Sequence, residues 1–523
     1  MMQPHGLGER VDQVAGRGDW DHALDLCQQW ICDEPENAEG FHRLSSILLQ
    51  LGRNLAALKA SQSAVFLETD EPCYLTQLSR CFLSVHKDKE AYETTCRAVE
   101  MEPKDAGDLN TLGTVFTHLG RHDQALSLFR RAVAGDPNVA QFHSNLASSL
   151  HFGNQTDEAE AAFRQAIALD SDNYRARWSI SQLHRQSDDS NHIEEFTDLL
   201  DRPAQTETAE MYLSLALAKE HEDLGQFEHS FDYLVRGNRI VRRTYPHDEE
   251  GEIETFDNLH RIFDAALFDR KPVGHAASAP IFIVGLPRTG STLLEQILGR
   301  HGAVFPAGEM RTFNVEFTRM CRPKSGKAQK RRWQEDFASI DFAELGQRYM
   351  DAVRFRVDQS RFFTDKYPIN YQLAGAIALA LPEAKIIHTT RDPMDTCFSN
   401  FKQLFSPGSC RYSYDLESMG RHFLRYRNLM DHWHQVLPGR ILDVAYEELV
   451  TDPETTVQRV LNHCDLDWQD ACLDFDRPTQ PVATASTAQV RQPVHQRGIG
   501  RWKHHADKMT GLMKLLGTTA QYE

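Results

Sequence analysis

The sequence lacks the features of a membrane, secreted or nucleic-acid-binding protein. No apolar run approaches the roughly 20 residues that a membrane-spanning helix needs, and the first residues, MMQPHGLGERVDQVAG, contain no apolar segment of signal-peptide length. A formal net charge of −18 leaves no basic excess for binding nucleic acid in bulk. We therefore expect a cytoplasmic protein without a membrane span that does not bind nucleic acid.

Paired cysteines are also missing. The ten cysteines are scattered and none belongs to a C-x-x-C pair, so the sequence predicts neither a disulfide framework nor a structural zinc site. With 41% hydrophobic and 25% charged residues, the composition is typical of a folded protein. A chain of 523 residues is too long for one hydrophobic core, and we expect two or three domains.

The N-terminal part repeats itself every 34 residues. Alanines at two positions of the repeat let two helices approach closely, and a leucine at a third position fills the space between them. The period and the pattern resemble the tetratricopeptide repeat, a helix-turn-helix unit that stacks into a superhelix. We call each of these three repeat positions a phase. The residues of the three phases are Ala23, Ala57, Ala91, Ala125 and Ala159; Ala64, Ala98, Ala132 and Ala166; and Leu44, Leu78, Leu112 and Leu146.

The repeats cover about residues 20–182, and a change of pattern follows them. After the polar stretch RQSDDSN (185–191) the alanine phases are lost, although a hairpin with a turn glycine, Gly225, continues. The stretch FDRKPVGHAASA (268–279) has the small and polar composition of a linker. We predict tetratricopeptide repeats over 1–182, a degenerate repeat-like helical region over 183–267, a linker over 268–279 and a further domain over 280–523.

Repeats of this kind usually offer a concave groove to a peptide or a partner protein. A spacer or a dimerisation surface is an equally good interpretation, and the sequence leaves these alternatives open.

The C-terminal domain begins with a loop suited to an anion. Ile281–Val284 is a wholly apolar run, as expected for a strand buried on both faces. GLPRTGST (285–292) then turns the chain into a stretch with helical spacing, so backbone N–H groups and a helix N-terminus would surround an anion. The loop has the outline of G-x-x-x-x-G-K-[ST], but Ser291 stands where a triphosphatase has its lysine.

Later stretches are predicted to be further strands of a parallel sheet. They are RFFTDKYP (361–368), AKIIHTTRDP (384–393) and RILDVAYEEL (440–449), and helical patterns separate them. This alternation predicts an α/β fold that binds ligands at the carboxyl ends of its strands. The cationic and aromatic residues that fall at or near such ends are Arg288, Lys366, Arg391 and Tyr446.

Four motifs in chain order resemble the sulfotransferases that use 3′-phosphoadenosine-5′-phosphosulfate (PAPS), especially the tyrosylprotein sulfotransferase branch and bacterial repeat-containing relatives. PRTGST (287–292) fits the 5′-phosphosulfate loop P-[KR]-[ST]-G-[ST]-[ST], and RDPMDTCFS (391–399) fits the 3′-phosphate motif R-D-P-x-x-x-x-x-S. YEEL (446–449) is similar to the segment where an aromatic residue meets the adenosine, and STAQVRQPVHQRGIGRW (486–502) is similar to the closing cofactor segment. The resemblance covers about residues 278–505.

The resemblance implies an α/β sulfotransferase domain with a P-loop-like PAPS site. The residues that it places at the cofactor are Pro287, Arg288, Thr289, Gly290, Ser291, Thr292, Arg391, Ser399, Tyr446, Ser486, Thr487 and Arg501. The residues themselves add that Asp392 can cap a helix beginning at Pro393. Ser399 would then lie about two turns along that helix, where its hydroxyl and a guanidinium could grip one phosphate.

The chemistry of the family is transfer of a sulfuryl group from PAPS to a hydroxyl or an amine. It needs a base for the acceptor proton and cations at the leaving oxygen. From the equivalent G-E motif of the tyrosylprotein branch we expect Glu309, in FPAGEMR, to be the base. Arg288 and Lys366 would stabilise the leaving phosphate and the transferring group. His388 is a rival base, but its place within an apolar strand is typical of a core histidine.

We expect no metal, because the departing group is already a phosphate. Asp365 is the nearest strand-end candidate for Mg²⁺, and Lys366 beside it suits an anion better. The stretch CRPKSGKAQKRRW (321–333), with six basic residues and no acid, would either attract an acidic acceptor or be a solvated mobile loop. Peptide tyrosine, a saccharide hydroxyl and a small metabolite all stay open as acceptors.

Two other functions compete with this interpretation. The chain could be an adaptor whose repeats bind partners while the C-terminal half has lost catalysis, although the full set of cofactor positions disfavours it. It could also be a nucleotide kinase, which the missing lysine after Gly290 and the RDP…S motif disfavour.

Overall fold

The computed structural model describes residues 5–203, 206–270, 273–321, 340–357, 360–474 and 496–518. The chain divides into two compact units, Met1–Asp170 and Ser171–Glu523. Across these described ranges, no helix combines the length and the apolar character needed to cross a membrane.

The first unit consists of consecutive helices that pack against their neighbours in the chain. They are α1 (His5–Gly16), α2 (Trp20–Asp33), α3 (Ala38–Gln50), α4 (Asn54–Leu67), α5 (Pro72–Ser84), α6 (Asp88–Glu100), α7 (Ala106–His118), α8 (His122–Gly135), α9 (Ala140–Phe152) and α10 (Thr156–Leu169). The alanines of the first phase have no exposed surface at all, as expected where two helices approach closely. A Cβ added at Gly113 of α7 would lie 2.7 Å from the ring of Phe129 in α8, so this pair depends on a small residue in the same way.

The period of 34 also appears in the backbone of the turns. The residue two positions before each second helix adopts a left-handed conformation, with φ between 57° and 79° throughout this set. Glycine has no Cβ and takes this conformation at little cost, whereas histidine and asparagine adopt it less readily. The residues at this position, spaced by one repeat, are Gly18, Gly52, His86, Gly120 and Asn154. The helical repeat region that the sequence predicts is therefore confirmed.

The second unit begins with further helices, which precede its sheet. They are α11 (Tyr174–Leu183), α12 (Ile193–Leu200), α13 (Glu207–Asp223), α14 (Phe227–Thr244), α15 (Glu249–Ile262) and α16 (Ala265–Asp269). Leu215 of α13, Phe231 of α14 and Phe256 of α15 belong to the same hydrophobic core as Phe282 of the sheet. These helices are therefore part of the folded body that carries the sheet.

The predicted domain boundaries differ from this division in two places. The compact units meet after Asp170, whereas the sequence predicts that the repeats continue to residue 182, and α11 packs against α13 of the second unit. The described part of the predicted linker is packed as well: the N–H of His275 donates to the carbonyl of Ala380 at 2.8 Å. A Cβ at Gly274 would lie 2.4 Å from the carbonyl oxygen of Leu379, so small residues here permit close packing.

A five-stranded parallel sheet forms the centre of the second unit. Its order is β2-β3-β1-β4-β5, and every described pairing is parallel. The strands are β1 (Pro280–Gly285), β2 (Val304–Pro306), β3 (Phe362–Asp365), β4 (Lys385–Thr390) and β5 (Ile441–Ala445). The four predicted strands and the predicted fold class are confirmed, while the three-residue β2 is too short to give a periodic signal.

Helices cover both faces of this sheet. They are α17 (Ser291–Gly299), α18 (Thr312–Met320), α19 (Phe342–Val353), α20 (Ala374–Ala380), α21 (Pro393–Phe401), α22 (Leu416–Val436), α23 (Tyr446–Thr451), α24 (Pro453–His463) and α25 (Thr510–Leu516). Short 3₁₀ helices span Pro368–Leu373, Arg411–Tyr414, Asp470–Leu473, Gln496–Gly498 and Arg501–Lys508.

The central strand β1 shows why its sequence is wholly apolar. Phe282 and Val284 pack into the core on one face of the sheet, and Ile281 and Ile283 pack into the core on the other face. Since β3 and β4 flank β1 on opposite sides, the order of the strands reverses at β1. Ligands of open α/β sheets bind at such a point, beyond the carboxyl ends of the strands.

Candidate active site

The loop after β1 owes its shape to three residues with positive φ. They are Gly285 at 145°, Arg288 at 69° and Gly290 at 95°. A Cβ at Gly285 would lie 2.5 Å from the carbonyl oxygen of Thr389 in β4, so only glycine fits there. Gly290 is the N-cap of α17. A loop of this kind, ending at a helix N-terminus, presents backbone N–H groups to an anion.

Side chains fasten the loop to its neighbours. The hydroxyl of Thr289 donates to the carbonyl of Leu286 at 2.7 Å and lies 2.8 Å from Oγ1 of Thr389. Nδ2 of Asn400, in α21, donates to the carbonyl of Pro287 at 2.8 Å. The predicted residue Thr289 is thus used within the loop, and its side chain serves the loop's geometry.

Arg391, directly after β4, connects three segments of the site. Its Nη1 donates to the carbonyl of Arg288 at 3.0 Å, and its Nη2 donates to the carbonyl of Gly498. Its guanidinium carbon lies 4.8 Å from the centre of the Tyr446 ring. The Nε of Arg391 is buried and has no hydrogen-bond partner among the described residues. A donor that faces no protein acceptor is suited to an anionic ligand.

Tyr446 lies in a space that two glycines leave open. A Cβ at Gly290 would lie 2.9 Å from the Tyr446 ring, and a Cβ at Gly498 would lie 2.7 Å from the Tyr446 hydroxyl. The predicted aromatic residue therefore packs directly on the glycine loop, with Arg391 against its ring.

The helix after Arg391 begins as the sequence predicts. Pro393 is in its first turn, and the side chain of Asp392 accepts a hydrogen bond from the backbone N–H of Asp395. Nε of Arg288 donates to Oγ of Ser399 at 3.4 Å. The structure thus brings Ser399 to the loop arginine, while Arg391 contacts the loop backbone.

Positively charged side chains lie beside this loop, and the carboxylate of Glu222, whose side chain is 9% exposed, pairs with two of them. Nζ of Lys402 lies 2.6 Å from both carboxylate oxygens of Glu222, and Nη2 of Arg501 lies 3.0 Å from one of them. Burial and the charge of Arg391 lower the pKa of Arg288 to about 10. Burial lowers the pKa of Lys402 to about 8, although Glu222 opposes that shift. Cations this close disfavour one another's charged form, and a bound anion would relieve that repulsion.

The predicted base and the predicted lysine meet at the ends of β2 and β3. Nζ of Lys366 lies 2.8 Å from Oε1 of Glu309; the lysine side chain is fully buried, and the glutamate side chain is 45% exposed. The backbone N–H of Lys366 donates to the carbonyl of Gly308 at 3.0 Å. A fixed cation thus lies beside a carboxylate that solvent and a substrate can reach.

His388 and Asp365 are occupied inside the fold. The ring nitrogens of His388 contact Oδ1 of Asp443 at 2.7 Å and the hydroxyl of Tyr426, as befits a core histidine. Oδ2 of Asp365 accepts a hydrogen bond from the Tyr349 hydroxyl at 3.1 Å. Burial raises the pKa of Asp365 to about 8, and its other oxygen, Oδ1, accepts a hydrogen bond from Nδ2 of Asn370 at 3.4 Å.

One group in the described part of the chain has ligand atoms close enough for a metal ion. It comprises His388, His434 and Asp443, whose ligand atoms lie within 4.8 Å of one another. Asp443 already accepts hydrogen bonds from both histidines, and these contacts account for the cluster. The predicted residues Ser486 and Thr487 and most of the basic stretch 321–333 lie outside the described residues.

Three residues of the site carry no motif. Glu295 is a charged residue in the apolar helix stretch STLLEQIL, and Lys402 follows Ser399 by three positions, which places both on one side of a helix. Either pattern could have indicated a buried polar role. Glu222 lies in the hairpin that has lost its repeat pattern, and no sequence signal distinguishes it.

Comparisons with known proteins fit this two-part organisation. Residues 280–470 match the Sulfotransferase family, and residues 110–173 and 144–190 match the Tetratricopeptide repeat family. The crystal structure of TTC0263, a thermophilic TPR protein of Thermus thermophilus, is 20% identical and covers 34% of this chain and 97% of that one, with a TM-score of 0.31.

Two relatives extend the comparison. An uncharacterized protein of Aquifex aeolicus is 30% identical over 334 residues, which are 62% of this chain and 44% of that protein. The protein-tyrosine sulfotransferase of Drosophila melanogaster is 24% identical over 243 residues, 42% of this chain and 46% of that protein. The chain thus spans about half the length of these relatives. Its residues 110–190 thus match tetratricopeptide repeats, and its residues 280–470 match a sulfotransferase domain.

Proposed function

We propose that the protein transfers a sulfuryl group from PAPS to a hydroxyl acceptor. The observation that carries this proposal is the convergence of the glycine loop, Arg288 and Arg391 at the carboxyl edge of the sheet. The buried Nε of Arg391 has no hydrogen-bond partner there among the described residues. The match of residues 280–470 to the sulfotransferase family gives the class of reaction.

The residues at this edge fit an adenosine that carries two anionic groups. The loop 287–292 with Arg288 would hold the 5′-phosphosulfate, and Arg391 with Ser399 would hold the 3′-phosphate. Tyr446 would offer its ring to the adenosine. Bound PAPS supplies an activated sulfuryl group. The cations of the site then have to stabilise negative charge on the departing phosphate, and Arg288 and Lys366 are placed for that role.

Glu309 is the base in this proposal. Its carboxylate is 45% exposed and can accept a proton from an acceptor hydroxyl, while Lys366 at 2.8 Å holds it in place. Lys366 is fully buried and directly follows β3, so the cation of this pair lies at the end of a strand.

The acceptor belongs to the proposal as well. The similarity to protein-tyrosine sulfotransferases makes peptide tyrosine the first acceptor to test, ahead of saccharide hydroxyls and small phenols. The repeats would contribute by holding a peptide in their groove, as such repeats often do.

The test is a transfer assay with the full chain and ³⁵S-labelled PAPS. Acidic and neutral tyrosine peptides, a saccharide and a small phenol are offered at low and at high salt, with and without EDTA. We expect label in at least one acceptor, and stabilisation of the chain by 3′,5′-ADP in a thermal shift assay. Salt-sensitive preference for acidic peptides would support an electrostatic role for the basic stretch 321–333.

Each negative result points to a different function. Stabilisation by 3′,5′-ADP without transfer to any acceptor class would favour an adaptor with an inactive domain. Stabilisation by ATP with Mg²⁺, and none by 3′,5′-ADP, would favour a nucleotide kinase.

A further inference from the structure

We infer that Glu295 is a positioning residue that holds the proposed base, Glu309, beside Lys366. This inference rests on the proposed function and adds a residue from outside the four sequence motifs. Glu295 lies on α17, the helix that follows the glycine loop, and is 3% exposed.

One carboxylate oxygen of Glu295 joins two segments of the site. Oε1 accepts a hydrogen bond from the backbone N–H of Gly308 at 3.0 Å and another from the hydroxyl of Thr364 at 2.8 Å. Gly308 directly precedes the proposed base, and Thr364 lies two residues before Lys366. This one side chain is therefore connected to both members of the pair, through Gly308 and through Thr364.

Glu295 makes these hydrogen bonds at the point where the pairing of two strands of the sheet ends. The pairing of β2 with β3 runs only to Pro306 and Thr364. Beyond that point the N–H of Ala307 donates to the Thr364 hydroxyl oxygen at 3.2 Å, and the N–H of Lys366 donates to the carbonyl of Gly308 at 3.0 Å. With the two bonds to Glu295, these contacts fasten the turn before Glu309 to β3.

Burying a carboxylate at this position is unfavourable for the stability of the fold, because the neighbouring side chains are apolar. Leu294, Ile297 and Leu298 on the same helix are fully buried in an apolar core. Burial raises the pKa of Glu295, and the charge of Lys366 opposes that shift only in part. Since a buried polar group destabilises a fold unless it is hydrogen-bonded, an apolar residue would serve the helix at least as well. What Glu295 adds is the link between the two strand ends.

The inference makes the hydrogen-bond acceptor essential and the charge dispensable. Glu295→Gln keeps an oxygen that can accept from Gly308 and Thr364, whereas Glu295→Leu removes it. Thr364→Val removes one of the two bonds to Glu295 and the acceptor of the Ala307 N–H, and it leaves the charge of Glu295 in place. Comparing these three variants distinguishes the effect of the hydrogen-bond acceptor, the effect of the negative charge and the effect of the contact between Glu295 and Thr364.

Two measurements on the full chain test the inference. The first is carbodiimide cross-linking followed by mass spectrometry, because a zero-length amide can form only where the Glu309 carboxylate touches the Lys366 amine. The second is steady-state sulfuryl transfer, together with the dissociation constant of 3′,5′-ADP. We expect Glu295→Leu and Thr364→Val to lose the cross-link and to lower kcat by about 10²-fold, the scale of a 1 Å misplacement. Affinity for 3′,5′-ADP should stay unchanged, and Glu295→Gln should keep both the cross-link and kcat.

Several results would overturn the inference. One is a cross-link and a kcat at wild-type level in Glu295→Leu. Another is parallel loss of 3′,5′-ADP binding and thermal stability, which would show a purely structural role. Equal losses in Glu295→Gln and Glu295→Leu would show that the charge is required. Should Glu295→Leu fail to fold, Thr364→Val and Glu295→Gln decide the question.

The proposed function can fail separately. If the wild-type chain transfers no sulfuryl group to any acceptor, the reaction is wrong, while the cross-link still reports whether Glu295 holds Glu309 beside Lys366.

Discussion

Nζ of Lys402 lies 2.6 Å from both carboxylate oxygens of Glu222, although the two residues are 180 positions apart in the chain. Arg501 shares the same carboxylate. Burial alone would raise the pKa of Glu222, but the charges of Lys402 and Arg501 outweigh it and leave that pKa lowered. A helix that precedes the sheet in the chain thus supplies the counter-ion for two cations beside the glycine loop.

Removing this counter-ion should destabilise the second unit. Glu222→Gln removes the carboxylate that pairs with Lys402, whose side chain is 19% exposed, and breaking a fully buried ion pair from one side costs about 3–5 kcal/mol, which sets the upper limit here. The double variant Glu222→Gln, Lys402→Met also removes the charge of Lys402 and should restore most of the lost free energy of unfolding. The measurement is the unfolding transition of the full chain in denaturant.

Glu210→Gln is the matched control. Glu210 lies on the same helix and pairs with Arg236 at 2.7 Å, with both side chains partly exposed, so its loss should cost less than about 1 kcal/mol. Equal effects of Glu222→Gln and Glu210→Gln would contradict a buried, indispensable counter-ion.

Glu309→Gln should abolish turnover. An amide cannot take the acceptor proton, and general bases contribute about 10²–10⁴-fold to rates. Binding of 3′,5′-ADP should persist, because the proposed cofactor residues lie elsewhere at the sheet edge. The checks are kcat and calorimetry on the same preparation. Glu383→Gln, the same change at an exposed residue before β4, is the control; retained turnover in Glu309→Gln would move the base to another residue.

Local patterns predict much of this molecule, and contacts between distant residues account for what they miss. The 34-residue period predicts the helix pairs, because each unit repeats the same contacts with its neighbour. It does not predict that His86 and Asn154 adopt the left-handed turn conformation that glycine has in other units. The motifs place Arg288 and Arg391 at one edge of the sheet, because each motif carries its own strand, loop and helix signals.

The partners of those residues were not predictable in the same way. Glu222 reaches Lys402 only because α13 packs into the core of the sheet-bearing unit, a relationship that no spacing along the chain encodes. Glu295 and Thr364 are likewise joined across 69 positions. Sequence patterns describe neighbours along an element, whereas these pairs depend on tertiary packing.

Arg391→Ala should weaken the binding of 3′,5′-ADP by about 1.5–3 kcal/mol, the scale of a hydrogen bond to a charged group. The structural reason is the buried Nε, which has no hydrogen-bond partner within the described ranges. Isothermal titration calorimetry measures the change. Arg348→Ala, which removes a surface arginine paired with Glu344, should leave the affinity unaltered, and an unaltered affinity in Arg391→Ala would refute the assigned role.

Asp365 should make the free energy of unfolding depend on pH, and the substitution Asp365→Asn should remove this dependence. Burial raises the pKa of this carboxyl group from 3.8 to about 8, so between these values the folded chain binds a proton that the unfolded chain releases. The free energy of unfolding therefore falls as the pH rises through this window, by up to about 1.4 kcal/mol per pH unit. Below the window, both states are protonated and the contribution is constant; above it, both are ionised.

An asparagine at this position keeps an oxygen for the Tyr349 hydroxyl and has no proton to lose. Relative to the wild type, Asp365→Asn should gain stability steadily from about pH 5 to about pH 8 and level off above that, as measured by thermal unfolding of the full chain at each pH. Asp507→Asn, the same change at an exposed aspartate, should show a difference from wild type that does not vary across this range. A pH-independent difference for Asp365→Asn as well would mean that Asp365 is already ionised in the folded protein.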